Sequence, residues 1–281
     1  MKRVFLVSIF LTISLFAGHI DDIRERGIIK IGVPFDMVPF GYKNDGLLKG
    51  YDIDLVKAIT AEIFPSANMK IELISAPTDQ IVDLIQKDRV DIVVSAFTIT
   101  KNRSKMVNFS LPYLKVNLAA LARKDSNITS LNDLKSSKVV VKKDTTAYAF
   151  AKQNGINFKT CTDIIACHTL VSQGKADVFI GNNLVIYAID FVDNNLETKI
   201  KTISEPMYLA AAVKMGNNEL LDAINSALKN LHSNGVLDKI YLENIGSFFR
   251  NSVDKELFIL DELRIPKIKS EEKKSNRLYN L

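Results

Sequence analysis

One plan of alternating strand-like and helix-like segments occurs twice in this chain, and it restricts the fold more than any other feature. In the first copy, residues 28–33 read as a strand, 54–64 as a helix, 70–74 as an alternating strand, 79–86 as a helix and 90–94 as a buried, continuously apolar strand. Leu55, Ala58, Ile59, Ala61 and Ile63 recur at helical spacing, and Pro65 ends that helix. Ile81, Leu84 and Ile85 share one face of the next helix. Strand–helix–strand order of this kind favours a parallel sheet with right-handed crossovers. The second copy runs through strands at 117–121, 139–141, 158–161 and 176–180. Its helices fall at 131–134, behind a Thr129-Ser130 cap, and at 145–153, 164–173 and 183–191. Strands at 199–203 and 209–213 lead back. A long helix over 218–233 then carries Leu220, Leu221, Ile224, Ala227, Leu228 and Leu231 at helical spacing, with Gly235 as its C-terminal stop and a short helix at 238–243 after it.

The 281 residues are 47% hydrophobic and 25% charged, enough for one large or two medium globular domains. Net charge is +5, and it drops to +3 once Lys2 and Arg3 are set aside. No basic patch with interleaved aromatics is present, which argues against nucleic acid as a partner. Residues 1–18 have the three parts of a cleaved export signal: Lys2-Arg3, an apolar run from Val4 to Phe16, and Ala17-Gly18. The run is shorter than the roughly 20 residues a membrane span needs. Beyond Arg250 a short helix is expected at 253–263, and residues 267–281 are mostly polar and charged, so 250–281 reads as a flexible, charged tail.

Cys161 and Cys167 are the two cysteines. In an exported chain they either form a short-loop disulfide or stay as two buried thiols. Neither a metal site nor a Cys167-His168 catalytic pair is expected. One histidine leaves the ligand set incomplete, and adjacent residues on a helix point apart.

The chemistry concentrates in residues 95–103, Ser-Ala-Phe-Thr-Ile-Thr-Lys-Asn-Arg, directly after the buried strand at 90–94. Such a segment offers backbone carbonyls, a hydroxyl and one guanidinium to a small ligand. A guanidinium fork matches a carboxylate, and an amino acid presents a carboxylate beside an amine.

Gly50-Tyr51-Asp52-Ile53-Asp54-Leu55, followed by Ile59 and Ile63, resembles the signature of family 3 extracellular solute-binding proteins, the receptors of polar amino acid ABC importers. Thr60 departs from it, standing where a smaller residue is usual. Further family-like pieces follow in order: Pro39-Phe40, Thr98 to Arg103, Asn108 to Tyr113, Thr145-Thr146, Gly174 to Asp177 and Gly235 to Tyr241. The resemblance spans about residues 20–246. It implies an α/β, two-lobed, type II periplasmic-binding-protein-like fold, each lobe a mixed or mostly parallel sheet flanked by helices, joined by a two-strand hinge. Lobe 1 would comprise 19–113 plus 206–249 and lobe 2 would comprise 117–202, with crossings near 114–116 and 203–205. It further implies a monomeric periplasmic receptor that closes on an amino acid or related carboxylate and presents it to an ABC permease, without a cofactor or metal. A sensor or accessory role is the alternative. An enzyme on this fold is disfavoured, because no His or Glu has a credible cleft role.

Carried over residue by residue, Arg103 would grip the ligand carboxylate. Ala96 would offer its carbonyl to the ammonium, with Phe97 beside it and Thr98 offering its hydroxyl. Thr146 would meet the carboxylate at a helix N-terminus. For both threonines, plain helix capping is the competing role. Met37 and Thr78 stand where relatives place aromatics. Pro34 stands where receptors for cationic side chains carry an acid. Asn182 stands where an Asp usually pairs with the ammonium. Lys142 would be a surface charge at a strand end, or else a cleft residue suited to an acidic ligand.

Overall fold

The computed structural model describes residues 19–65, 68–76 and 80–260. Residues 1–18, read above as an export signal, and residues 261–281 lie outside them. In the first half of the chain the elements are α1 (His19–Arg26), β1 (Ile28–Val33), β2 (Asp36–Met37), β3 (Gly41–Asn44), β4 (Leu47–Lys49), α2 (Tyr51–Ile63), β5 (Lys70–Ser75), α3 (Ile81–Gln86), β6 (Ile92–Val93) and β7 (Val107–Val116). There follow β8 (Leu118–Arg123), α4 (Leu131–Ser136), β9 (Val139–Lys142), α5 (Thr146–Gln153), β10 (Phe158–Cys161), α6 (Ile164–Ser172), β11 (Val178–Asn182), α7 (Asn183–Val192) and β12 (Leu196–Ile200). The chain returns through β13 (Met207–Lys214), α8 (Asn218–Ser233) and α9 (Val236–Tyr241).

Among the described residues the strands form two five-stranded sheets, ordered β5-β1-β6-β13-β7 and β10-β9-β11-β8-β12, and a small sheet β2-β3-β4. Each large sheet has a parallel half, as the alternation predicts, and an antiparallel half. The antiparallel half arises where the chain crosses over or returns: β13 runs antiparallel to both β6 and β7. Residues 119–122 of β8 are buried throughout, as expected for a central strand covered on both faces.

The chain passes between the sheets twice, through Asn117 and through residues 201–206. These crossings are tied together. The Asn117 side-chain amide donates to the Ser204 carbonyl, Leu118 N–H to Ser204 Oγ, and Ile203 N–H to the Leu118 carbonyl, each at 2.9 Å. β7 stays in the first sheet through Val116, paired with Met207, so the first crossing falls at Asn117.

α2 begins at Tyr51, three residues before the apolar spacing suggests. Gly50 at φ 125 enters against the backbone of Pro39-Phe40, where a Cβ would lie 2.5 Å from the Phe40 carbonyl oxygen. α8 packs on α2, β7 and α9 and buries Leu220, Ile224, Ala227, Leu228 and Leu231. It stops at Gly235, whose φ of 78 suits glycine.

Residues 250–260 correct one expectation. They hold only a 3-10 turn at Lys255–Leu257, and they dock rather than hang free. The Phe258 carbonyl accepts from Lys115 N–H at 2.8 Å, and its ring, 1% exposed, stacks on Tyr241 at 6.5 Å. Just upstream, Phe248 and Phe249 meet Phe191 of α7, which joins this segment to the second sheet's layer.

Candidate functional site

The cleft between the two sheets holds a partly open cavity of about 60 Å³. Met37, Ala96, Phe97, Thr98, Arg103, Thr146 and Asn182 all line it, together with Ser95, Lys142, Thr145, Ala147, Ile164, Val185 and residues 179–181. Thr78 lies outside the described residues. The loop after β6 supplies one wall. The ends of β9 and β11 and the start of α5 supply the other, so strand ends converge on the cleft as in open α/β sheets.

Arg103 opens a 3-10 turn, Arg103–Lys105, and is anchored on three sides. Nη1 donates to the Thr98 carbonyl at 3.1 Å, Nη2 donates across the cleft to the Asp144 carbonyl at 3.3 Å, and the guanidinium carbon sits 4.4 Å over the Phe97 ring. Phe97 is thus a buried platform for a cation. Burial lowers the Arg103 pKa to about 10, against the opposing pull of Asp144, so the side chain stays charged at neutral pH. With five N–H donors and two engaged, it keeps donors for an anion.

The capping alternatives resolve onto neighbouring residues. Thr100 Oγ1, not Thr98, accepts the Arg103 N–H at 3.2 Å. Thr145 is the N-cap of α5, accepting from Tyr148 N–H and donating to the Lys142 carbonyl. Thr146 is therefore the first helical residue, on the cavity wall at the positive end of the helix.

Asn182 caps α7, its Oδ1 accepting from Leu184 N–H at 3.0 Å. The oxygen expected to serve an ammonium is already bonded, and the amide NH2 is a donor. Lys142 is not a surface residue. It is 5% exposed, lines the cavity, and its Nζ lies 3.1 Å from Asp36 Oδ2 on the other side of the cleft. Asp36 was missed because β2 is only two residues long, too short to show a period.

Asp52 is the first acid of the Gly50-Tyr51-Asp52 signature. It is fully buried beneath the cleft loop, accepting from Ala96 N–H at 2.6 Å and from the Tyr113 hydroxyl at 3.1 Å.

Cys161 and Cys167 are joined as a disulfide between β10 and α6, which excludes a free thiol nucleophile there. His168 instead meets Asp193 at 2.7 Å, a bond that holds the Asp193 carboxyl below the usual range.

Two sheet layers linked by paired crossings, with an anchored guanidinium in the cleft between them, define a solute receptor of the two-lobed periplasmic type. The family model for bacterial extracellular solute-binding proteins, family 3, matches residues 29–247. The chain belongs to that family. It is 28% identical over 268 residues to the ABC transporter glutamine-binding protein GlnH of Bacillus subtilis (strain 168), covering 86% of this chain and 96% of that protein. Among solved structures, a cysteine-binding protein from Campylobacter jejuni superposes with TM-score 0.83 at 30% identity, covering 87% of this chain and all of that one. A solute receptor for L-cysteine from Neisseria gonorrhoeae gives TM-score 0.82 at 26% identity, covering 86% and 99%.

Proposed function

We propose that this protein captures a small amino acid between two closing lobes, residues 19–116 with 207–249 and residues 118–200, and delivers it as a monomer to an ABC permease. The observation that carries the reading is Arg103, held over Phe97 with donors to spare and lining the same cavity as the N-terminus of α5. A carboxylate bound there meets a guanidinium fork from one lobe and helix-end N–H groups from the other, which favours closure. Ala96 and Thr98 flank it on the first wall, and Met37 contacts the ligand body.

Two of the structural relatives bind cysteine by name, which puts L-cysteine first. Binding is the whole activity in this reading. The cleft lining supplies donors and a cation platform, whereas His168, the histidine nearest in sequence to a nucleophile, is occupied by Asp193. Export through residues 1–18 places the receptor in the periplasm. Among the described residues no helix is long and apolar enough to cross a membrane.

The test is a thermal-shift panel of amino acids, dicarboxylates and keto acids on residues 19–281, repeated with Arg103→Ala. A ligand at 100 times its Kd stabilises by about 2.7 kcal/mol. A shift with a small amino acid that Arg103→Ala removes supports the reading. An unchanged shift in Arg103→Ala would refute the carboxylate contact.

A further inference from the structure

A ligand ammonium in this cleft faces an unusual wall. The lining carries two cations, Arg103 and Lys142, the uncharged Asn182, and no carboxylate among the described residues. A buried carboxylate lies one layer back. Asp52 sits in the first turn of α2 with no exposed surface, and its Oδ2 accepts the Ala96 N–H at 2.6 Å. Ala96 is held at φ 43, a left-handed conformation disfavoured for an L-residue, at the cavity wall. The peptide unit whose N–H Asp52 grips ends in the Ser95 carbonyl, and Ser95 lines the same cavity. A carboxylate bonded to a peptide N–H polarises that peptide and makes its carbonyl a stronger acceptor. Among the described residues, no backbone N–H outside the helices and strands donates to the carbonyl of Ser95 or of Ala96.

We propose that Asp52 supplies the counter-charge for a ligand ammonium from behind the cleft wall, acting through the Ser95–Ala96 peptide. It touches no ligand and is a positioning residue for amine-bearing ligands. The inference rests on the amino acid reading above, and it assigns a task to the acidic residue of the Gly50-Tyr51-Asp52 signature.

A pH dependence follows. Burial pushes the Asp52 carboxyl up to about 7, against the hydrogen bonds from Ala96 and Tyr113 that pull it down. The titratable groups facing it are phenols: Tyr113 from β7 and Tyr51 from its own helix, with Tyr241 and Asp238 of α9 acting on Tyr51. Burial raises all three phenols above their ordinary range, so they stay neutral. Asp52 is then the member of this group that changes charge near neutrality. Its ionised form attracts the ammonium, so affinity for an amine-bearing ligand is full above about pH 7 and falls as pH drops through it. In the unliganded protein the same raised pKa has the opposite effect on stability. Its contribution is fully present below the ordinary carboxylate range of about 4 and is lost as pH rises through about 7.

Calorimetric titration with two ligand pairs decides the matter: L-serine beside 3-hydroxypropionate, and L-cysteine beside 3-mercaptopropionate. The proteins are wild type, the near-isosteric Asp52→Asn, and Arg103→Ala. For wild type, the amino acid is expected to bind roughly tenfold tighter at about pH 8 than at about pH 6, while its amine-free partner binds alike at both. In Asp52→Asn the amino acid loses tenfold or more and its pH dependence disappears, and the amine-free partner is unaffected. Equal losses for both members of a pair, or a pH dependence that survives in Asp52→Asn, would overturn the proposal. Should Asp52→Asn fail to fold, the wild-type contrast between amine and amine-free ligands across pH still decides it. Failure of the underlying reading looks different, since there Arg103→Ala binds both members of each pair as wild type does.

Discussion

Replacing Asp36 by Asn tests whether the cleft is held shut by charge as well as by ligand. Asp36 and Lys142 lie 3.1 Å apart with side chains 10% and 6% exposed, one on β2 and the other on β9. In Asp36→Asn the closed state keeps a desolvated ammonium whose remaining acidic neighbour is Asp163, the N-cap of α6. Removing one partner of a buried pair costs about 3–5 kcal/mol where the survivor is trapped. Here the survivor is not trapped, because opening the lobes returns Lys142 to water. The penalty therefore falls on closure and not on folding. Asn also keeps an acceptor for Nζ, which places the expected cost below that range, at about 2–3 kcal/mol. At 1.4 kcal/mol per decade this is roughly a 30- to 150-fold rise in Kd. Calorimetry with the ligand from the thermal-shift panel gives the affinity, small-angle scattering of the unliganded protein gives its radius, and a melt gives stability. The expected result is weaker binding, a larger unliganded radius and an almost unchanged melting temperature. Unchanged affinity and radius would refute the reasoning. A melting temperature that falls in step with affinity would make the pair a folding contact instead of a latch.

Two further perturbations address the periphery. Phe258→Ala removes a ring that is 1% exposed against Tyr241, so a loss of about 3 kcal/mol is expected from the urea midpoint. A neutral result would mean that the Phe258 ring adds nothing to the fold. The Cys161–Cys167 bond closes a loop of six-residue separation, and the double replacement Cys161→Ser/Cys167→Ser is expected to cost about 2 kcal/mol. Equal melts with and without reductant would exclude that contribution.

Much of the site was legible because its residues sit in short segments whose chemistry is local. The run from Ser95 to Arg103 places a hydroxyl, carbonyls and a guanidinium within nine positions, and the structure folds them into one wall of the cavity. Arg103 stood out as a cation among small residues. Phe97 was named but its use as a platform was not readable, because a ring's partner depends on the turn between them. Thr145 and Thr146 were both visible, yet which one caps α5 depends on where its first turn closes. Lys142 misled for a similar reason. After Val139-Val140-Val141 it looks like a strand running out into water, and its counter-ion lies 106 positions away.

By itself the sequence determined the succession of strands and helices, the faces that α2 and α8 bury, the turn at Gly235 and the arginine that stands in the cleft. These depend on side-chain spacing and backbone preference over a few residues, which the chain carries locally. Only the tertiary structure decided the antiparallel halves of the two sheets, the two-residue strand bearing Asp36, the docking of residues 250–260, and the burial of Asp52 beneath Ala96 and of Lys142 against Asp36. Each of those is a meeting between residues far apart in the chain. A charge reads as exposed until the partner that satisfies it is brought to within hydrogen-bond distance, and that partner is chosen by the packing of whole layers.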